Sequence, residues 1–143
     1  MLRLKIILPL ALIGALLGVG AVLGWTRRYE IWLWGGYAAL TALVVVWRAP
    51  GLFFAHAFIA GFLGALARGL IQAWFFGAFL ANNPGLASQP AYQPSAGGVS
   101  ARAIAFAMAP VIALVGGALL GGVTWIAATV LRRPRVDAET DSQ

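Results

Sequence analysis

Arg68 and Gln72 stand one helical turn apart inside a long apolar run, and theirs are the residue types there most suited to chemistry. An arginine at the centre of the bilayer costs roughly 2.5–3.5 kcal/mol on insertion scales, so such residues face the protein interior or a water-filled cavity. Residues four apart on a helix differ by only about 40° in direction, so both side chains can meet one partner. Together they suit contact with an anion or a polar solute. The structural alternative is an arginine that bonds to carbonyls and Gln72 at a helix contact, or that snorkels to the interface. No carboxylate is expected within its reach: Glu30 falls at the outer interface, and Asp137, Glu139 and Asp141 fall in the tail.

Other chemistry lacks material. His56 is the single histidine, and the chain has no cysteine. It lies about 120° around the helix from Arg68, and a lone histidine cannot build a protein-only metal site. It is expected at the membrane interface. Absence of cysteine excludes disulfides, thiolate catalysis and Cys-ligated centres. Ser88, Ser95 and Ser100 have no histidine or acid beside them in sequence to activate a hydroxyl. We therefore assign no catalytic, cofactor-binding or metal residues, and the chain reads as not an enzyme. The membrane runs hold no Asp or Glu, which argues against a proton-coupled exporter of the small multidrug type. The segment Gly61-Phe-Leu-Gly-Ala-Leu-Ala-Arg68 resembles the glycine-rich stretch near the start of small four-helix fluoride channels. Here it lies in the third helix, without that family's helix break or pore asparagine, so no site is carried over.

The elements that position Arg68 and Gln72 follow from composition. The chain has 143 residues, 62% hydrophobic and 10% charged, against roughly 45–50% and 25% in soluble domains. A spanning helix needs about 20 mostly apolar residues, and the sequence predicts helices over 6–25, 31–47, 52–80 and 103–131. The fold class is all-α: a polytopic integral membrane protein, one four-helix bundle over 1–131. The first apolar run is too long for a typical signal-peptide core of about 7–15 residues, so it is expected to stay as a helix. A flexible outer loop is expected over 81–102, rich in Pro, Gly and Asn, and a disordered cytoplasmic tail over 132–143.

The net charge of +6 comes from basic residues beside the apolar runs, the pattern of membrane orientation rather than nucleic-acid binding. With both ends inside, the inner side holds Arg3, Lys5, Arg48, Arg132, Arg133 and Arg135, and the outer side Arg27, Arg28 and Arg102. That bias places both termini in the cytoplasm. The short basic start and the lack of N-glycosylation sequons fit a bacterial inner membrane.

Burial alone does not join helices in lipid; small residues let backbones approach. Gly61, Ala65, Gly69, Ala73 and Gly77 recur every four residues on the third helix, and Ala109, Ala113, Gly117 and Gly121 on the fourth. Such rows are expected to mark tight contacts between these two helices or between protomers. Pro110 is expected to kink the fourth helix. The partners implied are the lipid bilayer and either further copies of the chain or other membrane subunits. The expected role is structural or accessory, and the alternative is a small oligomeric channel or transporter with Arg68 and Gln72 facing a polar pathway.

Overall fold

The computed structural model describes residues 1–93 and 100–132. Among them every regular element is helical: α1 Leu4–Val22, α2 Glu30–Arg48, α3 Phe53–Trp74, α4 Phe76–Asn82, α5 Pro84–Ala87 and α6 Ala101–Leu131, with a 3-10 turn at Pro90–Tyr92. Helices α1, α2, α3 and α6 are long and apolar enough to cross a membrane. Their outer faces are apolar: Leu12, Leu16, Ile112, Leu119 and Ile126 are all more than half exposed. Soluble monomers rarely expose contiguous apolar surface on this scale, so these faces belong in lipid.

Helix α3 is central, packed along α1 on one side and α6 on the other, while α2 leans mainly on α6. Helices α1 and α3 run parallel, and α2 and α6 run opposite to them. One end of the bundle, the terminal end, gathers Arg3, His56 and Arg132. The other, the loop end, gathers Glu30, Arg68 and Asn83.

Small residues set the closest approaches. A Cβ at Gly14 would stand 2.7 Å from the Gly64 Cα, so α1 and α3 meet backbone to backbone. On the other side of α3, a Cβ at Gly61 would stand 3.2 Å from the Gly117 Cα, and one at Gly69 would stand 2.9 Å from the Ala109 Cβ. At such distances dispersion and weak polar contacts act between main chains, the mode that replaces hydrophobic burial in lipid. Gly77 does not join this row: it lies on α4, and a side chain there would meet nothing within 4 Å.

The helix ends depart from the sequence expectation where local chemistry intervenes. Helix α1 stops at Val22, ahead of Trp25, in a Schellman turn: Trp25 N–H donates to the Gly20 carbonyl at 2.9 Å and Gly24 N–H to that of Ala21 at 3.1 Å. Gly24 takes φ +77°, open to glycine, and a Cβ there would also strike the Asn82 carbonyl at 2.7 Å. The third helix is not continuous over 52–80. It ends at Trp74, the backbone turns at Phe75 (φ −97°, ψ 34°), and α4 resumes at Phe76. Arg102 takes up the carbonyls near the break, its Nε donating to Ala73 at 3.1 Å and its Nη2 to Trp74 at 3.2 Å. Helix α6 continues through Pro110, which removes one backbone donor without ending it. Ser100 caps α6, its Oγ accepting from the Ala103 N–H at 3.2 Å.

The connection expected as a flexible outer loop over 81–102 carries helical structure in its described part. Asn83 is buried and donates to the Phe79 carbonyl at 2.8 Å and the Ala21 carbonyl at 3.0 Å, while Asn82 donates to Val22 at 2.9 Å. These amides add side-chain donors to the last carbonyls of α1. The remainder of that loop, 94–99, and the tail 133–143 lie outside the described residues.

Candidate functional site

Because α3 ends at Trp74, Arg68 lies six residues from its end, about 9 Å along the axis. Glu30 is the first residue of α2 and stands at the same level. Arg68 Nη2 donates to Glu30 Oε1 in a salt bridge. The expectation that no carboxylate reaches Arg68 is thus corrected: Glu30 starts its helix at the loop end, where the shortened α3 also brings Arg68. The Arg68 side chain is 19% exposed and that of Glu30 46%. The guanidinium also stacks on Trp34, 4.8 Å from the ring centroid. The ion pair and the cation–π contact together compensate a cation in a partly desolvated place. Arg68 Nε is buried with no partner among the described residues.

Arg68 and Gln72 both border a cavity of about 770 Å³ between α2, α3 and α6. Its floor is α3 from Gly61 to Gln72, one wall is the first half of α2, from Ile31 to Ala38, and the other is α6 from Ala101 to Val123. Phe76, Phe79 and Tyr92 close over the loop end, with ring centroids of Phe79 and Tyr92 6.1 Å apart. Toward the terminal end the walls come together. Val45, Val46 and Ala49 are buried there, and Arg132 on α6 donates to the carbonyls of Val46 and, at 3.1 Å, of Ala49. The wall residues Ile31, Ile112 and Leu119 are exposed, so the cavity opens sideways between α2 and α6. Its lining is apolar apart from Arg68, Gln72 and two tyrosines, and of these Tyr37 donates to the Ala60 carbonyl at 3.4 Å.

His56 is fully buried within the bundle, near the start of α3. Its Nε2 accepts from the Arg3 backbone N–H at 3.0 Å, and its Nδ1 lies 3.0 Å from the Leu52 carbonyl, which requires the proton on Nδ1. It ties the start of α1 to α3, about 18 Å along the helix from Arg68, and takes no part in the cavity.

Among the small residues, Gly61, Ala73, Ala109, Ala113, Gly117 and Gly121 are buried, and Ala65 and Gly69 half-buried. Gly61, Ala65 and Gly69 serve both the α3–α6 contact and the cavity floor. Sequence reasoning missed Glu30, Trp34 and Asn83. The signal for Glu30 was available: it is the chain's one acidic residue outside the tail. Trp34 was read only as part of an interfacial aromatic belt, and Asn83 only as loop.

In comparison with known proteins, no family model, no curated protein and no solved structure matches the chain.

Proposed function

We propose that the protein is a small non-catalytic membrane protein with a structural or accessory role, assembling with copies of itself or with other membrane subunits. The observation that carries this reading is the Arg68–Glu30 pair. The cation that sequence alone offered as a solute contact is compensated inside the chain and joins α3 to α2. Small residues left uncovered support assembly: a side chain at Gly35, Gly36 or Gly122 would meet nothing within 4 Å, and each leaves a helix surface open to close approach by another. The charge bias of the connections supports both termini in the cytoplasm of a bacterial inner membrane.

Subunit counting tests the assembly. The cysteine-free chain accepts one dye-labelled cysteine, and photobleaching steps are then counted in bilayers at decreasing protein density. Two or more steps that persist on dilution are expected; single steps at every density overturn self-assembly. Reporter fusions to each terminus, active on one side of the membrane only, test the orientation.

A second reading, an oligomeric channel or transporter, is favoured by one observation: Arg68 and Gln72 border the same cavity. It requires solute flux in reconstituted vesicles that Arg68→Ala abolishes while the protein stays folded.

A further inference from the structure

We propose that the cavity between α2, α3 and α6 binds an uncharged long-chain amphiphile of the bilayer, its polar head at Arg68 and Gln72 and its chain along the floor toward Gly61. Three features select this occupant, and none depends on how the chain assembles.

Shape comes first. The cavity opens sideways to the hydrocarbon and is closed toward the terminal end where α2 meets α6. A helix crossing the whole membrane cannot lie along that blocked path, whereas a molecule confined to one leaflet can. From Gln72 to Gly61 the floor runs about 16 Å, close to half of the roughly 30 Å hydrocarbon core. The volume of about 770 Å³ falls within the roughly 300–1,000 Å³ of ligand pockets.

The lining comes second. Below Arg68 the surfaces are apolar or backbone-smooth: Gly61 and Ala65 on the floor, Ile112, Leu119 and Leu120 on the wall. Methylene groups lose nothing there relative to lipid and gain packing contacts with fixed walls.

Charge comes third. Glu30 already cancels the Arg68 charge. Glu30 lies outside the cavity lining, so an anionic head finds no net positive charge at Arg68, and a cationic head meets the guanidinium rather than the carboxylate. A hydroxyl or ester head meets neither penalty. The Gln72 amide both donates and accepts, and so serves a hydroxyl or an ester alike.

The test is photolabelling of purified full-length protein in nanodiscs of neutral phospholipid, using a monoacylglycerol with a diazirine in its chain. We expect crosslinks on α3 between Gly61 and Gln72 and on α6 between Ile104 and Val123. Unlabelled monoacylglycerol should compete, whereas a fatty acid and an alkyl trimethylammonium of equal chain length should compete about tenfold less well. Ala105→Trp and Gly116→Leu fill the cavity and should lower labelling about tenfold; a Cβ at Gly116 meets only the Ala65 Cβ, at 3.8 Å, so the fold can accept it. The competition series on the unaltered protein decides even if both variants unfold. Crosslinks spread over all lipid-facing surfaces, or equal competition by charged amphiphiles, would overturn the proposal. So would a disulfide between copies formed through Ile112→Cys, which would put a neighbouring helix in the cavity.

Discussion

A Cβ on Gly18 of α1 would stand 2.7 Å from the Cα of Arg68 on α3, so the arginine's backbone is held by a glycine on the face turned away from the cavity. Backbone cannot withdraw as a flexible side chain can. Gly18→Val is therefore expected to lower stability by about 1–3 kcal/mol through overpacking. Gly35→Val, at a site with nothing within 4 Å, is expected to leave the monomer's stability unchanged. Thermal unfolding in mild detergent compares the two; equal effects would mean that α1 and α3 do not meet at this level.

The Arg68–Glu30 pair is expected to couple favourably. With the Glu30 side chain 46% exposed, solvent and headgroups screen the interaction, and a double-mutant cycle of Arg68→Leu and Glu30→Gln should return about 1 kcal/mol. Glu30→Gln alone should be the more damaging of the two single changes, because it leaves a cation in the membrane without its counter-charge. A coupling of zero would remove the ion pair as the tie between α2 and α3.

The pairing also measures how far the sequence could be read. Four spans were legible because each needs a long apolar run between polar breaks, and nothing else in this composition produces that pattern. The end of α3 was not, since Trp74-Phe75-Phe76 is as apolar as what precedes it. Carrying the helix on to Leu80 set Arg68 about 18 Å from its end rather than about 9 Å, and so hid Glu30 as a partner. The Gly/Ala rows displayed the spacing of close contact but not the partner. Two of the tightest backbone approaches, Gly14 on Gly64 and Gly18 on Arg68, join parallel helices separated in sequence by all of α2. For His56 no local pattern names the amide of Arg3 as its donor.

Asn83 holds the loop end together through two carbonyls from different helices. Asn83→Leu roughly keeps the volume, removes both amide bonds and leaves the Ala21 oxygen only the Gly24 N–H, at a cost of about 1–3 kcal/mol. The expected result is a lower unfolding temperature with faster proteolysis between α4 and α6. Unchanged proteolysis would mean that the loop is anchored by its apolar contacts alone.

Arg102 donates to the carbonyls at the break between α3 and α4. Its side chain is exposed, so Arg102→Ala is expected to cost about 1 kcal/mol or less globally. The local effect should be larger: amide hydrogen exchange at Phe75, Phe76 and Gly77 should accelerate while α1 is unaffected. Uniform acceleration along the chain would show that the arginine supports the whole bundle.

The unequal fastening of α2 has a mechanical consequence. One extremity is embedded in the core through Val45, Val46 and Ala49 and tethered by Arg132, whereas the other is held by the Arg68–Glu30 pair, the stacking of Trp34 on Arg68 and the Tyr37 hydrogen bond. The helix is a lever about 27 Å long with its pivot at Arg48. A swing of roughly 5° at that pivot carries Glu30 about 2 Å, widening the cavity's mouth far more than its depth. Strain applied at the pivot by the surrounding bilayer is thus magnified where Glu30 and Trp34 meet Arg68.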